Sequence, residues 1–305
     1  MPKAYVFTAF GGPENEQFLD VPKPTPGPGE LLVKVYAAGV NPADWKRRSG
    51  FGRYFSPDPL SAPRTMGIEA SGVVESIGPS CQDFTIGDEV FALVIGAWSD
   101  FALFPVERTA HKPAEVSFVD AATLGVAAPT ALDGLRQIHI GPHETLLIVG
   151  ISGGVGIAAA QIARAENVAV IGTASASKRK FVEAVGAVHV DSGAGVVARI
   201  QAACPGGVDA IFDLVGGDAL VEVAPLVGDR SRILTAADGE TAASLGGSLV
   251  QRTLDASSLE AVAAMVASNT LNPFVISTFP FSQAREALAL VESGHAMGKV
   301  VLEMM

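Results

Sequence analysis

The spacing of apolar and polar positions changes about 120 residues into the chain, and the change predicts two kinds of structure. Before it, short apolar or alternating runs are separated by Gly and Pro, which is typical of β-strands joined by tight turns. The predicted strands are 4–10, 31–36, 70–78 and 87–94. We therefore expect the first part of the chain to form a small, barrel-like β unit.

Beyond Ser117 the pattern favours helices and strands in alternation. An Ala-rich helical segment spans 118–135, and a further helix is predicted at 254–267. Strand candidates follow at 145–149, 168–172, 188–190, 208–214 and 232–235. Such alternation predicts a parallel, doubly wound sheet. The last segment reads as a strand, a helix and a strand (274–278, 281–292 and 299–302), and we expect it to return to the first domain.

A Gly-rich turn, Ser152–Gly156, joins the apolar run that starts at Thr145 to a helical segment. Backbone N–H groups at Gly153, Gly154 and Gly156 would approach a pyrophosphate, and the positive end of the following helix would favour its charge. The strict three-glycine pattern fails, because Ile151 takes the place of the first glycine. An ordinary tight turn is the alternative, but a second strand at βαβ distance favours dinucleotide binding.

Composition narrows the class of protein. The chain has 305 residues, of which 49% are hydrophobic and 17% charged, as in a compact globular protein. A formal charge of −11 argues against nucleic acid or an anionic membrane as the main partner. Cys81 and Cys204 are the only cysteines, so a disulfide framework is excluded. The start of the sequence lacks a signal-peptide pattern, and we expect a cytoplasmic protein.

The stretch after the second strand of the βαβ unit indicates which nicotinamide cofactor binds. Enzymes that use NAD usually carry an acidic residue there, to accept from the ribose 2′-hydroxyl. Residues 171–179, which include Thr173, contain no carboxylate. Ser175, Lys178 and Arg179 offer a hydrogen bond and two charges to a 2′-phosphate. We expect NADPH; the alternative is a solvated, basic helix start.

Several segments then occur in an order that resembles a known family. They are Gly11–Glu14, Ala38–Trp45, Val73–Gly78, Gly87–Val90, Ser152–Gly156, Asp213–Gly217 and Gly298–Leu302. Together they resemble the zinc-independent quinone oxidoreductase branch of the medium-chain dehydrogenase/reductase superfamily. The resemblance implies an α/β protein with a GroES-like β-barrel catalytic domain (1–120), a doubly wound Rossmann NADPH-binding domain (121–267) and a return to the catalytic domain (268–305). We also expect a homodimer.

The zinc-dependent branch of the superfamily can be tested against the sequence. It would place a cysteine shortly after Ala38–Val40 and a histidine just before Glu69. Asn41–Ala43 and Ile68 stand at those places. A catalytic zinc needs about three Cys, His or carboxylate ligands, so we expect no metal.

The resemblance also implies site residues. Asn41 and Asp44 match positions at the nicotinamide end of the cleft, and Thr130 matches a Thr beside the nicotinamide. The Asn41 amide could donate to the substrate oxygen or to the cofactor ribose, whereas Asp44 could instead bond backbone groups of its own turn. The candidate catalytic residues are Asn41, Asp44 and Tyr54, the last being either a proton donor or a loop aromatic. The expected cofactor-binding residues are Asn41, Thr130, Ser152, Gly153, Gly154, Val155, Gly156, Thr173, Ser175, Lys178, Arg179, Val215 and Gly216.

The leading hypothesis is an NADPH-dependent reductase of a quinone or enone. The aromatic loop Phe51–Phe55 implies a small, apolar, planar substrate. A reductase of enoyl thioesters is one alternative, but it needs a dock for an anionic carrier, and only Lys46–Arg48 and Lys178–Lys180 are basic clusters. A protein that binds NADPH only to sense redox state, or for a structural role, is another.

Overall fold

The computed structural model describes residues 1–50 and 62–304. The chain divides into two compact units. The first unit comprises Met1–Val126, Leu254–Ala267 and Val275–Met305, and the second comprises Ala127–Thr253 and Ser268–Phe274. The first unit therefore takes residues from both ends of the chain.

The amino-terminal part of the first unit is mainly β-structure. Its elements are β1 (Lys3–Phe7), β2 (Glu16–Asp20), β3 (Glu30–Val40), α1 (Pro42–Ser49), β4 (Arg64–Thr65), β5 (Glu69–Ile77), β6 (Glu89–Leu93), β7 (Phe101–Pro105), β8 (Thr109–His111) and α2 (Phe118–Ala121). The four strands predicted from the sequence are present, with ends shifted by a few residues. Helix α1 and strands β2, β7 and β8 were not predicted.

The second unit alternates helices and strands, and the chain then returns to the first unit. The elements of the second unit are α3 (Ala127–Ile138), β9 (Thr145–Val149), α4 (Gly154–Ala165), β10 (Ala169–Ala174), α5 (Arg179–Ala184), β11 (Val188–Asp191), α6 (Val196–Ala203), β12 (Ala210–Asp213), α7 (Gly217–Val223), β13 (Ile233–Thr235), α8 (Gly239–Ser244) and β14 (Ser248–Leu249). The returning elements are α9 (Ala256–Ala267), β15 (Val275–Pro280), α10 (Ala284–Glu292) and β16 (Lys299–Glu303).

The long strand β3 organises the first unit. The larger sheet has the order β15-β16-β3-β5-β6-β8, with β7 also paired to β3, and a smaller sheet has the order β2-β1-β4. Strand β3 is antiparallel to both β16 and β5, with Val40 opposite Val300 and Ala38 opposite Ala70. The end of β3 therefore lies beside the beginnings of β5 and β16. A core that includes Leu31 and Trp98 packs beneath these strands.

The second unit contains a parallel sheet of the order β11-β10-β9-β12-β13-β14. This is the strand order of a Rossmann fold, in which ligands bind outside the carboxyl ends of the strands where the order reverses. The doubly wound sheet predicted from the sequence is confirmed. Val149, at the end of β9, is opposite both Thr173 of β10 and Asp213 of β12. These three residues mark the edge where a dinucleotide would bind.

Two features depart from the sequence-based expectation. The helical segment predicted at 118–135 is broken between α2 and α3, where a Cβ on Gly125 would lie 2.8 Å from the Ala92 carbonyl oxygen and from the Glu69 Cβ. Helix α9, expected within the Rossmann segment 121–267, groups with the first unit and packs against β8. In the described parts of the chain, every helix is too short or too polar to span a bilayer.

Candidate functional site

The Gly-rich turn between β9 and α4 is held against β10. Gly150 adopts a φ of +81°, and its N–H donates to the Thr173 carbonyl oxygen at 3.1 Å. The Thr173 hydroxyl oxygen accepts from the same N–H at 3.3 Å. A Cβ on Gly156 would lie 2.4 Å from the Ile151 carbonyl oxygen, so only glycine allows the helix to start this close to the turn. Thr173 thus holds the turn in place through its carbonyl and hydroxyl oxygens.

The turn presents the amino-terminal end of α4. The N-cap is Gly153, which has no side chain that could cap the helix. The N–H groups of a helix's first turn have no partner within the helix. A Cβ on Gly153 would meet no atom nearer than the Gly150 carbonyl oxygen at 4.0 Å, so there is room for a ligand. The five predicted residues of the turn, from Ser152 to Gly156, therefore form a site suited to a pyrophosphate.

A second loop at the same edge is shaped by Asp213, which the sequence analysis did not assign to the site. Its Oδ1 accepts from the N–H groups of Val215 and Gly216 at 3.1 and 3.0 Å. The Thr235 hydroxyl donates to its Oδ2 at 2.6 Å. Asp213 is completely buried, and it fixes the loop on which the exposed Val215 and the buried Gly216 lie. A carboxylate at the end of the apolar segment 208–214 was the signal that could have identified it.

The residues expected to bind a 2′-phosphate follow β10. Ser175 and Arg179 are exposed, and burial lowers the pKa of Lys178. Arg179 forms loose pairs with Asp191, at 3.5 Å, and with Glu183, at 3.9 Å. Such half-exposed pairs contribute little to stability, so Arg179 can exchange them for a phosphate. Asp191, at the end of β11, places a negative charge beside Arg179 and was not among the predicted site residues.

The remaining predicted site residues are distributed as follows. Thr130 lies on α3 of the second unit and is buried. Asn41 and Asp44 belong to the first unit, which brings them together at the start of α1. Tyr54 and the loop Phe51–Phe55 lie outside the described residues.

A buried polar cluster surrounds Asn41. Lys299 Nζ donates to Asn41 Oδ1 and to Glu69 Oε1, both at 2.7 Å. Asn41 Nδ2 donates to the same Glu69 oxygen at 2.8 Å. The Lys299 side chain is 5% exposed and that of Glu69 is 0% exposed. Glu69 and Lys299 were not among the predicted site residues; the antiparallel pairing of their strands with β3 brings them to Asn41.

Asp44 lies in the first turn of α1 and is 1% exposed. Its Oδ2 accepts from the Asn41 backbone N–H at 2.8 Å, so Asp44 does bond a backbone group of its own turn. Its Oδ1 has no hydrogen-bond partner among the described residues. Burial, aided by the charge of Glu69, raises the pKa of Asp44 to about 7, against the opposing effects of the Asn41 N–H and of Arg47 and Lys299.

The far end of α1 is anchored by Arg48, whose side chain is 2% exposed. Arg48 pairs with Glu16 and, at 2.8 Å, with Glu292 of α10. The Tyr5 hydroxyl donates to the other Glu16 oxygen at 2.6 Å, and burial together with this carboxylate raises the pKa of Tyr5. This network holds the helix that carries Asp44.

The residues present do not fit a catalytic zinc. Asn41, Pro42 and Ile68 occupy the places where ligands would be expected, and neither Pro nor Ile can coordinate a metal. No group of three or more His, Cys, Asp or Glu side chains in 1–50 and 62–304 could hold a metal ion. Lys299 instead places a fixed positive charge beside Asn41.

Family models match both halves of the chain. Residues 27–114 match the model described as alcohol dehydrogenase GroES-like domain, and residues 185–302 match the model described as zinc-binding dehydrogenase. The first match lies within the β unit, and the second extends from the Rossmann unit through the carboxyl-terminal return.

Individual proteins are also similar. The mitochondrial NAD(P)H oxidoreductase RTN4IP1 of Bos taurus is 30% identical over 326 residues, which cover 90% of this chain and 82% of the relative. The structure of the quinone oxidoreductase from Coxiella burnetii has a TM-score of 0.91 at 28% identity and covers 100% of this chain and 99% of its own. The structure of the Escherichia coli quinone oxidoreductase complexed with NADPH has a TM-score of 0.88 at 25% identity and covers 99% of this chain and 100% of its own.

Proposed function

Because the chain belongs to the quinone oxidoreductase branch of the medium-chain dehydrogenase/reductase superfamily, we propose that it is an NADPH-dependent, metal-free reductase of quinones or α,β-unsaturated carbonyl compounds. The family and the fold, a GroES-like unit with a Rossmann unit, agree with the sequence-based expectation, and the cofactor is NADPH. We assign catalysis to the first unit and cofactor binding to the second. The buried cluster around Asn41 is the observation that carries the proposed chemistry.

The second unit supplies the cofactor contacts in this proposal. The turn Ser152–Gly156 and the positive end of α4 hold the pyrophosphate. Ser175, Lys178 and Arg179 bind the 2′-phosphate through charge-assisted hydrogen bonds, which favours NADPH over NADH. Thr173 supports the turn, and Asp213 fixes the loop of Val215 and Gly216 near the nicotinamide. Thr130 is assigned to the nicotinamide pocket.

The first unit supplies the groups that act on the substrate. When bound, NADPH supplies a hydride to the substrate, and negative charge then develops on the substrate oxygen. The N–H of Asn41 that is not bound to Glu69 donates to that oxygen. Removing one such donor typically lowers the rate by about 10²–10³. Asp44, with a pKa of about 7, carries a proton in a good part of the molecules at neutral pH, and we assign it as the proton source. Tyr54 is retained as the other candidate donor.

Two features of the first unit argue against the alternative functions. The Lys46–Arg48 cluster offers little to an anionic thioester carrier, because Arg47 and Arg48 are buried and Arg48 is bound to Glu16 and Glu292. A non-catalytic NADPH-binding protein would not need the polar cluster at Asn41. The homodimer and the cytoplasmic location stay predictions.

Steady-state NADPH oxidation by the purified protein tests the proposal. We expect oxidation with a quinone or a small enone, little with an enoyl thioester, and no loss of activity after treatment with a chelator. NADPH binding measured by calorimetry without oxidation of any acceptor would favour the non-catalytic alternative. Activity that requires stoichiometric zinc would contradict the metal-free assignment.

A further inference from the structure

Asn41 occupies an unusual hydrogen-bonding position for its place in the chain. It is the N-cap of α1, where an Asn side chain normally accepts from an N–H of the first turn. The Asp44 N–H of this turn donates to the Asn41 carbonyl oxygen at 3.0 Å. The side-chain amide lies between Lys299 Nζ and Glu69 Oε1, at 2.7 and 2.8 Å. The amide is therefore bound on both sides by a buried ion pair.

The two partners determine which way the amide points. An ammonium group only donates hydrogen bonds, so Lys299 must face the amide oxygen. The carboxylate oxygen of Glu69 accepts from Lys299 and can accept from Asn41 only through the amide nitrogen. A flipped amide would set donor against donor and acceptor against acceptor. The orientation is therefore fixed by chemistry, and among the described residues it leaves one N–H of Nδ2 without an acceptor.

The chain also makes room for this arrangement. A Cβ on Gly39 would lie 2.1 Å from Glu69 Oε1 and 2.7 Å from the Ala122 carbonyl oxygen. Any side chain at this position would displace the carboxylate from Asn41. Placing an ion pair in a buried position is costly unless its hydrogen bonds are well made. Here Glu69 Oε1 is bound to both Lys299 and Asn41, whereas Glu69 Oε2 has no hydrogen-bond partner among the described residues.

We propose that Lys299 and Glu69 are positioning residues, which hold the Asn41 amide so that its uncommitted N–H meets the substrate oxygen during hydride transfer. This inference rests on the proposed function. A donor that is already oriented needs no reorganisation as charge develops, and that is the condition under which it accelerates the reaction. An ion pair that only stabilised the fold would act independently of Asn41, and this difference can be measured.

A double-mutant cycle on hydride transfer tests the proposal. The rate is measured in single turnovers at saturating NADPH for the wild type, Lys299→Met, Asn41→Ala and the double variant. We expect Lys299→Met to slow hydride transfer by about tenfold or more, since small misplacements of catalytic groups have effects of this size or larger. In the Asn41→Ala background, Lys299→Met should change the rate of hydride transfer by less than about twofold, because the effects of substitutions at residues that act through each other are not additive. The dissociation constant of the Lys299→Met variant for NADPH should stay close to that of the wild type.

Lys112→Met is the matched control. Lys112 also belongs to the first unit, its side chain is also 5% exposed, and it pairs with Glu89 at 2.8 Å. The Lys112→Met variant should be less stable than the wild type but should transfer hydride at the wild-type rate. If Lys299→Met does not fold, the charge-balanced pair Glu69→Gln with Lys299→Met replaces it in the cycle. A folded Lys299 variant that transfers hydride at the wild-type rate, or that slows it equally with and without Asn41, overturns the proposal.

A second readout does not depend on turnover. The side-chain amide signals of Asn41 in a ¹⁵N NMR spectrum are identified by their loss in Asn41→Ala. We expect them to shift in Lys299→Met and to stay in place in Lys112→Met. Unshifted signals would overturn the positioning role. A wild type that oxidises no NADPH with any acceptor, yet shows the expected shifts, would instead contradict the proposed function.

Discussion

Lys299 Nζ and Asn41 Oδ1 lie 2.7 Å apart although 258 residues separate them in the chain. The contact follows from the antiparallel pairing of β16 with β3, which sets Val300 opposite Val40. Lys299 precedes Val300 and Asn41 follows Val40, so this pairing brings Lys299 and Asn41 together. The carboxyl-terminal return thus supplies a charged group to the cluster that carries the proposed chemistry, as well as completing the sheet.

The first prediction concerns the cofactor. Replacing both Lys178 and Arg179 by Ala should weaken NADPH binding by at least about tenfold, because a hydrogen bond to a charged group contributes about 1.5–3 kcal/mol. NADH binding should change little. The measurement is the dissociation constant of each cofactor, with Lys180→Ala, on the same helix, as the control. Equal losses for NADPH and NADH would place the 2′-phosphate elsewhere.

The second prediction concerns Asp191, which pairs loosely with Arg179 at 3.5 Å. Asp191→Asn should tighten NADPH binding by a few-fold, since it removes a competitor for Arg179 and a like charge near the phosphate. The effect should fade at high salt. Titrations at two ionic strengths check this, and Glu183→Gln, which affects only the weaker 3.9 Å pair, should have a smaller effect. Weaker NADPH binding in Asp191→Asn would show that Asp191 helps to orient Arg179.

The third prediction concerns Asp44 and pH. In the unfolded chain this residue loses its proton near pH 3.9, its ordinary value, whereas in the folded protein it keeps the proton to about pH 7. The folded state therefore binds more protons in this range, and the contribution of Asp44 to stability falls as pH rises from about 4 to 7.

Asp44→Asn keeps an acceptor for the Asn41 N–H and removes this penalty. The variant should be more stable than the wild type at pH 8, by up to about 4 kcal/mol for a shift of about three pH units. The difference should shrink steadily toward pH 4. Urea denaturation at several pH values measures it, with Asp20→Asn, at an exposed position, as the control. Parallel stability curves for the wild type and Asp44→Asn would mean that Asp44 is ionised in the folded protein.

The fourth prediction concerns the anchor of α1. Arg48→Met leaves the buried Glu16 without its cation and should destabilise the protein by about 3–5 kcal/mol. Lys23 and Glu75 form a surface pair, with side chains 40% and 41% exposed. Lys23→Met should therefore cost less than about 1 kcal/mol. Denaturant unfolding compares the two variants, and similar losses would show that the Arg48 network is not a source of stability.

The sequence predicted the fold best where local pattern determines it. The strands and helices around the Gly-rich turn followed from hydrophobic spacing and glycine positions, and the sheet is parallel and doubly wound, as expected. Helix α1 was missed because it is short, follows β3 almost directly and carries three consecutive cations. Arg48 pairs with Glu16 and Glu292, and no local pattern reveals this pairing. Helix α9 was recognised as a helix, but only its packing against β8 shows which unit it joins.

Only part of the candidate site was predicted, because local pattern and resemblance do not reveal contacts between distant parts of the chain. Asn41 and Asp44 were identified by resemblance, and the Gly-rich turn by its own chemistry. Glu69 and Lys299 were present in the sequence but had no recognisable spacing, since strand pairing over long distances brings them to Asn41. Asp213 and Asp191 were missed because a single carboxylate after an apolar strand is a weak signal without the neighbouring strands.

The most direct test of the central claim is the rate of hydride transfer from NADPH to a quinone by Asn41→Ala, followed in single turnovers at saturating cofactor. If the Asn41 N–H stabilises charge on the substrate oxygen, the rate should fall by about 10²–10³ while the NADPH dissociation constant stays close to that of the wild type. A folded variant that transfers hydride at the wild-type rate would contradict the account and leave Asn41 as a structural residue of α1.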